Sequence, residues 1–176
     1  MLRLKNFFLH KIILVPLLIF LYVPAICQET IQRLFYFEKS QSENIICYDV
    51  HITRDGRFSS KQAVEGYWYN TIEKKRHELN WIEQMLAYGF DYNLDKKTNT
   101  ISLKMRALKK RPMTVFIKDG KAVAQLTVSG KMCYMEKVYI KVAKHLYPPL
   151  EYIEIFGTEI LTGKQIVERI YPKSVL

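Results

Sequence analysis

Apolar and polar residues alternate along the second half of the chain. From residue 100 onward, every second side chain is apolar: Ile101, Leu103, Met105 and Ala107. The side chains between them are Ser102, Lys104 and Arg106. A period of two is typical of a strand with one buried and one solvated face, so residues 100–107 predict a strand whose outer face is basic.

The next segments predict an antiparallel meander. Residues 113–118 and 121–128 flank Asp119-Gly120, a pair suited to the positive backbone angles of a type I′ hairpin turn. Ser129-Gly130 then precedes a further alternating segment, residues 131–142. Four consecutive strands joined by tight turns form a meander.

Strands are also predicted at both ends of the chain, with one helix between them. The further predicted strands are residues 33–38, 44–51, 64–69, 151–156 and 165–170, and Pro148-Pro149 interrupts the pattern after the meander. The helix is predicted over residues 74–88, with Gly89 as its cap. Its apolar residues recur at spacings of three and four: Leu79, Ile82, Met85 and Leu86.

These elements predict a mainly β domain. We expect an antiparallel β-sandwich or a partly closed barrel of about eight or nine strands, with one packed α-helix. The chain has 176 residues, and removing a leader of 27 leaves 149, which suits a single domain over residues 28–176.

The N-terminus has the features of an export signal. Three basic residues, Arg3, Lys5 and Lys11, precede an uncharged apolar run over residues 12–26. This run is shorter than the roughly 20 residues of a membrane-spanning helix, so residues 1–27 predict a secretory signal peptide. We expect cleavage after Cys27, with cleavage after Ala25, lipidation of Cys27 and retention as an anchor as alternatives. The predicted location is periplasmic or extracellular.

The net charge narrows the set of partners. The formal charge is +10, and the leader contributes +3, which leaves +7 on the mature chain. Such a basic surface can simply maintain solubility, or it can attract an anionic envelope polymer or lipid headgroups, whereas nucleic acid is not an expected partner of an exported protein. Five cations form a candidate basic patch that ends at Pro112: Lys104, Arg106, Lys109, Lys110 and Arg111. Alternatively, these cations protect an exposed strand from edge-to-edge pairing.

Aromatic residues are concentrated in one stretch of the chain. The candidate ligand-binding residues are Tyr67, Trp68, Tyr69, Trp81, Tyr88, Phe90 and Tyr92. Their rings can line a cleft for a sugar, a peptide or a small apolar ligand such as a lipid, or they can pack in the core. Because alternate residues of a strand face opposite sides, Trp68 cannot share a face with Tyr67 and Tyr69, and only a subset can line one site.

The cysteines and histidines give weaker signals. Cys47 and Cys133 are an even pair that allows a disulfide in an oxidising compartment, although a domain of this size is also stable with two free thiols.

The spacing of the histidines, His145 included, gives no zinc pattern, and no metal site or cofactor is predicted. Asp49 and His51 share a predicted strand face, but the chain has no nucleophile elbow and no glycine loop for phosphate, so no catalytic residues are assigned.

Several short motifs, taken in order, resemble one family. They are Phe35-Tyr36-Phe37-Glu38-Lys39-Ser40, Asn44-Ile45-Ile46-Cys47-Tyr48-Asp49, Tyr67-Trp68, Leu86-Ala87-Tyr88-Gly89-Phe90, Phe156-Gly157 and Thr162-Gly163-Lys164. The set resembles the domain of unknown function 4833, which implies a single exported or envelope-associated bacterial domain and supplies no reaction. We therefore expect a noncatalytic ligand-binding or structural module, with a hydrolase acting on an envelope polymer as the alternative.

Overall fold

A computed structural model describes residues 29–143 and 150–172, except for the side chain of Leu86. The predicted leader, His145 and Pro148-Pro149 lie outside the described residues. Within the described ranges, no helix has the length and apolar character needed to cross a membrane.

The prediction of a mainly β fold is confirmed. The strands are β1 (Thr30–Lys39), β2 (Asn44–Ile52), β3 (Val64–Asn70), β4 (Lys75–Glu78), β5 (Phe90–Asp95), β6 (Thr100–Met105), β7 (Met113–Lys118), β8 (Lys121–Val128), β9 (Lys131–Val142), β10 (Leu150–Glu159) and β11 (Gln165–Ile170). One short helix, α1 (Trp81–Leu86), and a 3-10 turn (Arg106–Leu108) complete the described elements.

All eleven strands belong to one sheet that curls into a half-barrel. The strand order is β4-β3-β2-β1-β9-β8-β7-β6-β5, and β10 lies between β9 and β11. The predicted meander is present, because β6 to β9 pair consecutively and antiparallel. One pairing departs from the antiparallel expectation, since β1 runs parallel to β9.

Strand β9 joins three neighbours. Its residues 133–142 pair with β10. Its first residues, 131–134, pair with β8, and residues 137–140 pair with β1. Because a strand has only two edges, β8 and β1 share the edge of β9 opposite β10. The sheet therefore divides there into two leaves, β1–β4 and β5–β8.

The core lies between these leaves. Both leaves contribute fully buried side chains, among them Phe35, Phe37, Ile46, Tyr48, Ile101, Leu103, Met113 and Val115. The ring of Tyr48 lies 4.9 Å from that of Phe35 and 5.2 Å from that of Phe37. Its hydroxyl donates a 2.9 Å hydrogen bond to the carbonyl oxygen of Tyr88, so its one polar atom has a partner inside the core.

The predicted helix over residues 74–88 is wrong in its first part. Residues 75–78 form β4 and pair with β3, after a turn in which Lys74 has φ of 56° and the Asn70 side chain accepts two backbone N–H bonds. The helix begins only after Asn80, whose side chain forms a reciprocal capping box with Glu83. These local hydrogen bonds outweigh the apolar periodicity that predicted a longer helix.

Three further features differ from the prediction. Strand β5 was not expected, although Phe90, Tyr92 and Leu94 alternate with polar residues and pair with β6. Strand β6 ends at Met105, so Arg106 does not continue the strand face of Lys104. The cap position also differs, since Ala87 is the C-cap of α1 and Gly89 is buried two residues later.

A substitution in β10 tests how tightly this strand packs on β9. A Cβ atom on residue 157 would lie 2.9 Å from the carbonyl oxygen of Tyr134 and 3.0 Å from the Cβ of Cys133. We expect Gly157→Ala to lower the free energy of unfolding by about 1–3 kcal/mol, measured by urea denaturation. The control is Ser102→Ala on the exposed face of β6, and equal stability of the two variants would contradict the tight packing.

Candidate functional site

A groove of about 710 Å³ lies beside the loop that joins β6 to β7. We call it the basic groove. Its cations are Arg106, Lys109, Lys110 and Arg111. Its apolar lining comes from the same loop and from β10 and β11: Leu108, Pro112, Ile153 and Ile170. The groove therefore combines positive charge with apolar surface.

The local sequence explains why this loop presents its lysines to solvent. The chain leaves β6 in the 3-10 turn, and the backbone N–H of Arg111 donates a 2.8 Å hydrogen bond to the carbonyl oxygen of Leu108. Leu108 is buried in the core cluster and anchors the turn, whereas Lys109 and Lys110 are exposed. The two lysines are thus held at the rim of the groove by a buried neighbour.

Arg111 has a structural partner inside the groove. Its guanidinium is paired with both carboxylate oxygens of Glu168 in β11, one hydrogen bond measuring 2.8 Å, and it also donates a 2.9 Å bond to the carbonyl oxygen of Thr127. The hydrogen bond from Arg111 lowers the pKa of Glu168, which burial alone would raise. Arg111 therefore ties the loop to β8 and β11. The groove cations without a carboxylate partner among the described residues are Lys109 and Lys110.

Arg106 lies between the basic groove and a second groove of about 460 Å³. Its Nη1 donates a 3.2 Å hydrogen bond to the carbonyl oxygen of Met85, and its Nη2 lies 4.0 Å from Asp91. Its Nε is buried and has no hydrogen-bond partner among the described residues. Trp81, Met85 and Phe90 line the second groove. Arg106 thus links the cations of the loop to the aromatic region around α1.

The structure brings four of the five residues of the predicted basic patch together. Arg106, Lys109, Lys110 and Arg111 line the basic groove, and Lys104 does not. Lys104 is exposed on β6 opposite Asp91 of β5. The other apolar residues of the groove, Ile153 and Ile170, come from β10 and β11, which are distant in sequence, so the sequence pattern had no signal for them.

The predicted aromatic residues do not share one cleft. Trp68 packs against the core and against Tyr88, with 5.4 Å between ring centroids, and Tyr67 lies on the opposite face of β3. Their separation follows the alternation expected for a strand. Of the remaining candidates, Tyr69 is half-buried on the face of Tyr67, Phe90 packs against the core, and Tyr92 and Trp81 are exposed. Only Trp81 and Phe90 line the second groove.

Sequence reasoning missed most of a polar cluster on the outer face of the first leaf. Tyr67 donates a 2.6 Å hydrogen bond to Asp49, and Arg33 pairs with Asp49 while also donating a 3.0 Å bond to the Tyr67 hydroxyl. Alternation in β2 and β3 places Asp49 and Tyr67 on this face. We call Arg33, Asp49 and Tyr67, together with the neighbouring Glu29, His51, Glu65 and Arg76, the outer-face cluster.

The rest of the outer-face cluster surrounds Glu65. Arg76 donates hydrogen bonds of 2.9 and 2.8 Å to its two oxygens and lies over the ring of Tyr67 at 3.9 Å. His51 is flanked by two carboxylates, with Nε2 at 3.4 Å from Glu65 and Nδ1 at 3.3 Å from Glu29. One feature could have indicated this cluster. Asp49 lies directly opposite Glu65 in the pairing of β2 with β3, and two like charges in such a pair are unfavourable unless cations lie nearby.

The chemistry of the outer-face cluster is that of charge compensation. Hydrogen bonding to Arg76 lowers the pKa of Glu65, which holds this carboxylate in its ionised form. Burial raises the pKa of the Tyr67 hydroxyl to about 12 and that of the neighbouring Cys47 thiol to about 11. An acid catalyst needs a carboxyl that is protonated near neutral pH, and a thiol nucleophile needs a lowered pKa. In this cluster the pKa of the Glu65 carboxyl is lowered and that of the Cys47 thiol is raised, so neither requirement is met.

Neither a disulfide nor a metal cluster is present in the part of the chain that the structure describes. Cys47 and Cys133 are buried as free thiols. Cys133 belongs to the core cluster, whereas Cys47 alternates with the core residues Ile46 and Tyr48 and so faces the outer side of β2. Their positions on opposite faces keep the thiols apart. Across the same ranges, no group of three or more potential metal ligands was found.

The fold and the groove define a class of protein: a single-sheet half-barrel that carries a cationic groove with an apolar lining. The chain belongs to the family described as Domain of unknown function (DUF4833), whose model matches residues 35–169. The match confirms the resemblance seen in the sequence motifs and includes every residue of the basic groove except Ile170. Neither a curated protein nor a solved structure matches the chain.

The ion pair in the basic groove predicts a pH-dependent stability. Because Arg111 lowers the folded-state pKa of Glu168 below the ordinary value of 4.5, the pair contributes fully above that value. Its contribution is lost as the pH falls through the lowered pKa. We expect Glu168→Gln to be less stable than the wild type at neutral pH and the difference to shrink in acid, measured by thermal unfolding across this pH range. Glu73→Gln in the β3–β4 turn is the control, and a difference independent of pH would contradict the assignment.

Proposed function

We propose that this protein is an exported, noncatalytic binding module whose basic groove holds an anionic amphiphile of the cell envelope. The ligand class is a molecule with an anionic head and an apolar part. The head would contact Lys109, Lys110 and Arg106, and the apolar part would lie against Leu108, Ile153 and Ile170.

The observation that carries this proposal is the combination of surfaces in one groove. The two exposed lysines of the rim stand beside apolar side chains from β10 and β11. A volume of about 710 Å³ is in the range of small-molecule sites, roughly 300–1,000 Å³. Arg111 already neutralises Glu168, so an incoming anion meets positive charge rather than a free carboxylate.

The alternative function, a hydrolase acting on an envelope polymer, has less support. Asp49, His51 and Glu65 do lie together in the outer-face cluster, as such an enzyme would require. However, Asp49 is paired with Arg33 and Glu65 with Arg76. Two carboxylates that are each neutralised by an arginine do not form the acid and base pair of a glycosidase, in which one carboxyl must be protonated.

The export part of the proposal rests on the leader. We expect the protein isolated from its own host to have the intact mass of residues 28–176, because a signal peptide is removed after translocation. The full-length mass would support an uncleaved anchor, and a mass increase from an acyl group on Cys27 would support lipidation. Recovery of the uncleaved chain from the cytoplasm would overturn export.

Binding of a soluble amphiphile tests the ligand class. We expect dodecyl phosphate, below its micellar concentration, to bind more tightly than hexyl phosphate, and hexyl phosphate more tightly than inorganic phosphate. Each CH₂ group that leaves water contributes up to about 0.8 kcal/mol. Isothermal titration calorimetry measures the three affinities, and a neutral dodecyl maltoside, also kept monomeric, should bind more weakly than dodecyl phosphate.

A matched pair of variants assigns this binding to the groove. Lys109→Ser combined with Lys110→Ser should weaken dodecyl phosphate binding about tenfold, which corresponds to roughly 0.7 kcal/mol for each exposed charge. Lys96→Ser combined with Lys97→Ser removes two exposed lysines from the β5–β6 turn, outside the groove, and should leave the affinity unchanged. Equal losses in both variants would show that net charge, rather than the groove, governs binding.

A further inference from the structure

Helix α1 presents large apolar side chains to solvent. Trp81 is 68% exposed, Met85 56% and Ile82 47%. Residues at these spacings lie on one side of a helix, so the three side chains form a single apolar face. A surface helix of a folded domain ordinarily turns its apolar side toward the core, and an exposed apolar face of this kind marks an interaction surface.

This apolar face is continuous with the cations of the β6–β7 loop. The hydrogen bond from Arg106 to the carbonyl oxygen of Met85 holds the loop against α1. Arg106 also lines both the basic groove and the groove beside Trp81. Lys109 and Lys110 follow in the same loop and are exposed. Apolar and cationic side chains therefore meet along one border of the molecule.

We propose that Trp81, Ile82, Met85, Arg106, Lys109 and Lys110 form a docking surface for an anionic lipid bilayer. The ring of Trp81 and the side chains of Ile82 and Met85 would enter the headgroup region, where amphipathic aromatic rings are favoured. The cations would contact anionic headgroups, which attract nearby basic residues. Two kinds of contact, apolar insertion and charge attraction, are what stable binding to a membrane surface requires.

A bilayer fits this surface better than a protein partner does. Three side chains of a six-residue helix provide much less than the roughly 800 Å² that each partner buries in a standard protein interface. A symmetric contact with a second copy would place the cations of the two loops near each other, and such like-charge contacts are unfavourable. Of the acidic groups nearby, Glu83 caps the helix and Asp91 lies beside Arg106, whereas Glu78 of β4 is exposed in the second groove.

This docking surface does not depend on a ligand in the basic groove. The two proposals share the cations, but only the docking surface uses Trp81 and Met85. Replacing Trp81 and Met85 therefore separates the two proposals: dodecyl phosphate binding should persist while bilayer binding is weakened.

Vesicle sedimentation tests the docking surface on the protein in its native N-terminal form, established by intact mass. We expect binding to vesicles of phosphatidylcholine with 30% phosphatidylglycerol, much weaker binding to phosphatidylcholine alone, and a loss of affinity at high salt because exposed charges are then screened. Trp81→Ser combined with Met85→Ser should reduce the affinity by about tenfold or more. Lys109→Ser combined with Lys110→Ser should reduce it about 30-fold.

Controls distinguish insertion of α1 into the bilayer from non-specific hydrophobic adsorption. Leu161→Ser removes an apolar side chain that is 91% exposed in the β10–β11 turn, and should leave vesicle binding unchanged. Brominated lipid should quench the wild-type fluorescence, and Trp81→Phe should keep the binding while losing most of the quenching. Wild-type binding by the Trp81→Ser, Met85→Ser variant would overturn the proposal. So would a concentration-dependent dimer in which Trp81 is protected and no vesicle binding occurs.

Discussion

The shared edge of β9 is the constraint on which the rest of the structure depends. One edge of this strand is occupied by β10, and the other is divided between antiparallel β8 and parallel β1. A single continuous sheet thereby becomes two leaves that face each other across one core. The rings of Phe35, Phe37 and Tyr48 from one leaf can then pack near Ile101 and Leu103 from the other without a second sheet. Hydrogen bonds also cross between the leaves, because the Gln32 side chain bonds to the backbone of Gly120 and Ala122 at the β7–β8 hairpin.

The same arrangement places the two proposed binding surfaces away from the centre of the core. Since β10 and β11 continue the sheet beyond β9, their side chains reach the loop after β6 and complete the basic groove. The ion pair of Arg111 with Glu168 fastens that loop to β11. Helix α1 lies at the other side of Arg106, so charge and apolar surface are adjacent there. The outer-face cluster has a different character, because its carboxylates and arginines neutralise each other on a largely buried face.

Local sequence signals predicted the elements whose hydrogen bonds are local. The Asp119-Gly120 hairpin and the alternation of β6 and β8 needed no information from distant residues, and the structure confirms both. The helix over residues 74–88 was overestimated because its apolar spacing resembles that of a longer helix, while the turn at Asn70 and the cap at Asn80 decide its true limits. Strand β5 was missed because its alternation covers only six residues and its one partner in the sheet is β6.

The sequence by itself determined the strand-rich class, the meander, the family and the cations of the Lys109–Arg111 segment. Periodicity and turn residues are local properties, and charge is visible in the composition. Only the tertiary structure decided the parallel pairing of β1 with β9 and the opposite faces of Cys47 and Cys133. It also decided that Ile153 and Glu168 meet Lys109 and Lys110 in one groove. These outcomes depend on contacts between residues far apart in the chain, and no local pattern encodes which distant strands share an edge.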